Sequence, residues 1–213
     1  SSFAQITVSG STGANGTYTS LTKAAGAFLA INGAGSQAGN NILITITADV
    51  TTEDGANSLN GGTWSTLTIS PSGTRTISGA VAGNLINLNG ADNVTISGLG
   101  TLTIDNTSTN AAATTIRFIA DATNNTVQNC NIKGSGTGVA VGTIFFSTGT
   151  ATGNDGNIIT NNNITPSGAN LPANAIYSAG TSAAIDNSGI TISTNNISDY
   201  FSATLVSVGI NVG

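Results

Sequence analysis

A repeated pattern of two apolar positions around a polar corner constrains this fold more than any other sequence feature. The first position recurs at intervals of 33, 32 and 33 residues, at Val94, Val127, Ile159 and Ile192. The second recurs at the same intervals, at Leu99, Ile132, Ile164 and Ile197. Two apolar columns that share one period of this size indicate a solenoid of stacked copies. We therefore expect the residues of each column to stack inside the solenoid.

Small polar residues separate the two apolar columns. Asparagine suits such stacked positions because its amide bonds to the amides above and below it, and Asn and Gly tolerate the left-handed backbone of a sharp corner. Cys130 lies in this series, where we expect it to pack rather than to react. The pattern predicts a structural ladder formed by Ser97, Cys130, Asn162, Asn195, Asn131, Asn163 and Asn196.

The composition of the repeat favours strands over helices. Its apolar runs are short, rich in Val, Ile and Thr, and bounded by Gly, Asn and Asp. A second apolar cluster precedes each copy, as at Ile116 with Phe118 and Ile144 with Phe146. Each coil should therefore run strand, corner, strand, loop. The predicted fold is all-β, a parallel β-helix of about six coils whose strands lie about 4.8 Å apart.

Helical periodicity occurs in one segment, residues 20–32. Leu21, Phe28 and Ile31 fall on one face of it, after Ser20 as a candidate N-cap. We predict a helix that covers the N-terminal end of the solenoid. A helix lying on a membrane is disfavoured, because the polar face carries a single Lys. The chain thus divides into an N-terminal strand and capping helix, residues 1–35, and β-helix coils, residues 36–213.

The composition argues against several classes of function. Charged residues make up 6% of the chain, against about 25% in typical proteins, and four Lys and Arg stand against nine Asp and Glu. This balance provides no basic patch for nucleic acid. The chain has no His and one Cys, which excludes a Ser-His-Asp triad and an internal disulfide. We predict no cofactor, no metal site, no catalytic residues and no membrane insertion.

Five segments resemble the N-terminal region of large secreted β-helix repeat proteins of Bacteroidetes: residues 21–33, 78–96, 115–118, 125–130 and 143–150. The resemblance implies a right-handed parallel β-helix exported with the help of a C-terminal type IX sorting domain, which we do not find in these 213 residues. Residues 1–5 also resemble the end of a secretory signal peptide. We therefore expect a secreted protein, extracellular or on the cell surface.

The last residues of the sequence predict an exposed end of the solenoid. They read as a strand without a capping pattern, and an uncovered strand edge is a template for another chain. Either two C-terminal ends meet in a dimer, or one end docks on the N-terminal region of a neighbour and extends as a filament. The predicted assembly interface comprises Leu205, Val206, Val208, Ile210 and Val212.

Three functional hypotheses follow. The first is a non-catalytic structural or adhesive rod that self-associates and that has surface glycans as a further possible partner. The second is a polysaccharide-binding or polysaccharide-cleaving β-helix, with a calcium or sugar site among loop acids that turn chemistry also explains. Those acids are Asp92, Asp121, Asp155 and Asp186. The third is an ice-binding β-solenoid, suggested by Thr-x-Thr motifs that start at Thr45, Thr66, Thr74 and Thr101.

Overall fold

The chain folds into a parallel β-solenoid whose coils stack along one axis. The computed structural model describes residues 4–203 and 206–212. These residues form about five turns rather than six, and they are mostly strands with a single short helix, as predicted. In chain order the elements are β1 (Ile6–Ser9), β2 (Gly16–Tyr18), α1 (Ala27–Gly33), β3 (Asn41–Ile46), β4 (Leu59–Asn60), β5 (Thr66–Pro71), β6 (Arg75–Gly79), β7 (Asn84–Asn89), β8 (Val94–Asn106), β9 (Thr114–Ile119), β10 (Thr126–Gly134), β11 (Ile144–Phe146), β12 (Ile158–Thr160), β13 (Asn163–Pro166), β14 (Asn174–Ser178), β15 (Thr191–Ser193), β16 (Asn196–Ile197) and β17 (Val208–Val212).

The strands are arranged so that a complete coil has three sides. The first side stacks β3, β5, β8, β10, β12 and β15 in parallel. The second side stacks β6, the later half of β8, the later half of β10, β13 and β16. The third side is a separate sheet, in the order β4, β7, β9, β11, β14 and β17. A left-handed residue separates the first and second sides, as at Asn129, Asn161 and Thr194.

The predicted internal columns are confirmed from Val127 and Ile132 onwards. Strand pairing places Val127 opposite Ile159, and Ile159 opposite Ile192. The second column is likewise continuous through Ile132, Ile164 and Ile197. Towards the N-terminus the register extends these columns through isoleucines that the fixed period misses: Ile44, Ile69 and Ile96 on the first side, and Ile77 and Ile104 on the second.

Val94 and Leu99 were wrongly placed in these columns. Ile96, not Val94, pairs with Val127, and Ile104, not Leu99, pairs with Ile132. The cause is a longer corner in β8, where residues 98–101 face the single corner residue Asn129. Val94 is still buried two positions earlier, but Leu99 lies in the corner with φ 53° and is 64% exposed. The fixed interval of 33 residues did not allow for the extra residues in this corner of β8.

The N-terminal end of the solenoid is closed by two different elements. Strand β1 pairs antiparallel with β3 and with β2, which ends the parallel stacking on the first side. Helix α1 packs against β4, the first strand of the third side. Leu21, Phe28 and Ile31 are buried in the same apolar core as the coils. The expectation that Phe28 is buried over this end is therefore confirmed.

The helix is shorter than predicted, because residues 20–26 fold around a buried carboxylate. Glu53 accepts hydrogen bonds from the Ser20 hydroxyl at 2.6 Å, from the Leu21 amide at 2.6 Å and from the Thr22 amide at 2.9 Å. Gly26 then adopts extended backbone, with ψ 171°, and α1 begins at Ala27. Donors that a helix would have left unsatisfied in its first turn are thus paired with Glu53 instead.

Candidate functional site

The C-terminal end of the solenoid carries the residues predicted to form an assembly interface. Val206 is 79% exposed, Ile210 44% and Val212 75%, while Val208 is partly exposed. Leu205 lies outside the described residues. Strand β17 pairs with β14 along one edge, with Ile176 opposite Ile210. Ile210 therefore belongs to an interior column, and it is exposed because no further coil of the described chain covers it.

The other two sides end in the same way. Strands β15 and β16 pair with β12 and β13 through one edge each. Within the described residues their second edges have no partner, so backbone donors and acceptors face outwards. Ile192 and Ile197, which lie at the ends of the two interior columns, are only partly buried. The end of the solenoid thus combines unpaired strand edges with partly uncovered core.

An apolar cavity of about 480 Å³ opens at this end. Most of its lining consists of the last interior side chains: Phe146, Ile176, Ile190, Ile192, Ile210 and Val212. A smaller cavity of about 350 Å³ lies beside it and is lined by residues 178–183 with Asp186 and Asn187. Apolar surface of this kind gains free energy when another surface removes it from water. We define these residues, with β15, β16 and β17, as the open end.

The predicted ladder is present, except that Ser97 does not belong to it. Asn195 accepts from the Asn162 amide nitrogen at 2.9 Å, and Asn162 accepts from the Cys130 amide nitrogen at 3.0 Å. Cys130 pairs with Leu102, so Leu102 and not Ser97 precedes it in this column; the longer corner of β8 is again the reason. Ser97 instead pairs with Gln128 on the first side.

The outer ladder residues face solvent on the second side. Asn131 pairs with Asn163, and Asn163 pairs with Asn196. The Asn196 side chain donates to the Asn163 side chain at 2.8 Å. The ladder therefore stabilises the coil corners internally and bonds neighbouring coils externally, and it offers no cluster of groups for chemistry.

A larger set of buried asparagines was missed by the sequence analysis. Asn125 and Asn157 are fully buried, and Asn157 accepts from the Asn125 amide nitrogen at 2.9 Å. Asn154 is also fully buried and accepts from the Ala122 amide nitrogen at 3.0 Å. These residues satisfy backbone groups at the turn into the first side. Their roughly 32-residue spacing was available in the sequence, but Asn is so frequent in loops that the signal was not distinctive.

The four loop acids do not converge on a site. Asp92 accepts from the Thr123 amide nitrogen at 2.7 Å, and Asp155 accepts from the Ser188 amide nitrogen at 2.7 Å. Each carboxylate thus holds the equivalent loop one coil further on. Among the described residues, no group of three His, Cys, Asp or Glu side chains could hold a metal ion. These contacts fit the alternative interpretation, in which the acids stabilise turns and loops.

Asp121 has the most elaborate loop contact. Its carboxylate accepts from the amide nitrogens of Thr150 and Gly153, each at 2.9 Å, and from the Thr150 hydroxyl. Burial is the largest single influence on the pKa of Asp121 and raises it, but the hydrogen bonds from Thr150, Gly153 and Thr152 together outweigh burial and hold the pKa well below its usual range. Asp121 is therefore charged at neutral pH and anchors residues 150–153.

Cys130 and Arg117 are the other perturbed groups. Burial raises the pKa of the Cys130 thiol to about 12, so a thiolate does not form near neutral pH. Burial lowers the pKa of Arg117, whose guanidinium donates to Asn87 at 2.9 Å on the outer surface of the third side. The packing role expected of Cys130 agrees with its 3% exposure.

Comparison with known proteins finds no match for this chain. No protein-family model matches it. No curated protein matches it, and no solved structure matches it. The resemblance to secreted Bacteroidetes proteins and the expected extracellular location therefore remain hypotheses. Among the described residues, no helix is both long and apolar enough to cross a membrane.

Proposed function

We propose that the protein is a non-catalytic extracellular rod, structural or adhesive, that self-associates through the open end. One observation carries the proposal: the open end presents unpaired strand edges around uncovered core side chains, with Ile210 at 44% and Val212 at 75% exposure. Another solenoid end can satisfy both features at once, because strand pairing and apolar burial continue across the joint. A small ligand in the cavity would leave the strand edges unpaired.

The surface chemistry supports a rod rather than an enzyme. Three of the four loop acids, Asp92, Asp121 and Asp155, bond to loops of the following coil, and the single thiol is buried. We expect no turnover on a panel of polysaccharides, with or without calcium. Turnover that disappears in Asp92→Asn or Asp155→Asn would instead favour the polysaccharide-cleaving alternative.

Sedimentation of the purified protein over a concentration series tests the self-association. We expect the wild type to form larger species as the concentration rises. Ile210→Lys should remain monomeric, because it places an unpaired charge in an apolar joint. Leu99→Lys is a matched control, since Leu99 is an exposed apolar residue at a distant corner; this variant should still associate. A wild type that stays monomeric at every concentration, or equal effects of both variants, would refute the proposal.

A further inference from the structure

The outward surface of the first side forms two straight columns of side chains. We call this surface the hydroxyl face. Strand register defines one column as Leu43, Thr68, Thr95, Thr126, Ile158 and Thr191. The other column has two paired parts, Thr45 with Ser70, and Ser97 with Gln128, Thr160 and Ser193. Ser70 and Ser97 directly follow the paired residues Ile69 and Ile96, which places the two parts in line. Only Thr45 and Thr68 belong to the Thr-x-Thr motifs noted in the sequence. The other residues of the face come together through the pairing of successive strands, and they share no local sequence motif.

The hydroxyl face differs in composition from the other surfaces of the solenoid. Nine of its twelve side chains are Thr or Ser, and none is charged or aromatic. The second side, by contrast, carries Asp105 opposite Lys133, and the third side carries Arg117 opposite Phe145. The hydroxyl face thus lacks the strongly hydrated charges found on both neighbouring sides.

Most hydroxyls of this face are not used inside the protein. The side chains of Thr68, Thr95 and Thr126 make no hydrogen bond within the described part of the chain. Ser97 is only 9% exposed, and its hydroxyl also has no partner among the described residues. Hydroxyls without a partner inside the protein are available to bond to ordered water on the face. Within the face, the hydroxyls of Thr160 and Ser193 bond to each other at 2.9 Å, near the open end.

The geometry of parallel strands turns these free hydroxyls into a two-dimensional grid. Neighbouring strands lie about 4.8 Å apart, and alternate residues of a strand lie about 6.6 Å apart. Repeat distances of water in ice are of the same order, so a hydroxyl lattice on this scale can hydrogen-bond to an ordered water layer. Threonine also presents a methyl group beside each hydroxyl, and its χ1 angle is restricted, so the grid is already ordered before contact.

We propose that the hydroxyl face binds ice. The chemistry favours an ordered water lattice over a polysaccharide, because sugar rings pack on aromatic faces and this surface has none. The inference is independent of self-association, which uses the open end rather than this face. Ile210→Lys changes the open end alone and should bind ice as a single chain.

Thermal hysteresis and ice-crystal shaping by the whole chain test this proposal. We expect wild type to shape crystals and to produce measurable hysteresis. Thr126→Lys places a hydrated charge at the centre of the face and should remove most of the hysteresis. Thr103→Lys is the matched control: Thr103 is partly exposed and points outwards from the second side of a neighbouring coil. It should retain wild-type hysteresis.

Two further measurements keep the test decisive. Thermal unfolding of each variant establishes that it is folded, and Thr126→Val replaces Thr126→Lys if the charge prevents folding, since valine keeps the shape and strand propensity. Hysteresis in the wild type that falls in Thr126→Lys or Thr126→Val but not in Thr103→Lys supports the proposal. Absence of hysteresis and crystal shaping in wild type overturns it. Equal loss in the control, or binding to crystalline cellulose or chitin in place of ice, also overturns it.

Discussion

At the scale of single residues, Asp121 shows how an acid can stabilise a loop without forming a site. Its carboxylate holds residues 150–153 through amide and hydroxyl donors, and these bonds depress its pKa. A group with a depressed folded pKa stabilises the fold fully above its unfolded pKa, near 3.9, and loses that contribution as the pH falls towards the folded pKa. The stability of this loop should therefore weaken in acid.

We expect Asp121→Asn to lower the free energy of unfolding by about 1 kcal/mol at pH 7, allowing for partial solvent screening. The deficit should shrink as the pH falls below about 4, because the unfolded wild-type chain then binds a proton at Asp121 while the folded protein does not. Denaturant titrations at pH 7 and pH 3 measure both values. Asp54→Asn is the control, because Asp54 is exposed and accepts from Ala56 alone among described groups. A deficit for Asp121→Asn that is the same at both pH values would contradict this account.

At the scale of elements, helix α1 depends on tertiary packing for its stability. It has seven residues, no side-chain cap and no acid in its first turn, so it would not persist alone. Phe28 is fully buried within the core, whereas the adjacent Leu29 is 44% exposed. Phe28→Ala should cost about 3–5 kcal/mol in unfolding free energy, as for other large core truncations. Leu29→Ala should stay within about 0.5 kcal/mol; similar losses for both would argue against a packed cap.

The sequence predicted the repeat well where corners have constant length. From Val127 onwards each corner has one left-handed residue, so apolar residues keep their interval and the columns are correct. Before Val127 the corner of β8 is longer, and Ile96 and Ile104 could not be found by a fixed interval. The late start of α1 at Ala27 was equally hidden, because the Glu53 carboxylate that holds residues 20–22 is distant in sequence.

At the scale of the whole molecule, the two ends of the solenoid differ. The N-terminal end is closed by α1 and by the antiparallel strands β1 and β2. The open end has neither kind of cover within the described residues. The sequence identified Val206, Ile210 and Val212 as exposed, because an apolar strand without a capping pattern is visible locally. The hydroxyl face was not identified correctly, because its columns join residues from six strands whose register only the structure defines.

Hydrogen exchange over a concentration series tests self-association through the open end most directly, since it needs no substitution. Backbone amides on the unpaired edges of β15, β16 and β17 should exchange quickly in dilute protein. If solenoid ends pair, these amides become protected as the concentration rises, while amides of β8, which are already paired on both edges, stay unchanged. We predict concentration-dependent protection in residues 191–197 and 206–212. If the open end docks on a different surface of its neighbour, the residues of that surface should become protected as well. Exchange in residues 206–212 that is equally fast at every concentration would contradict the account.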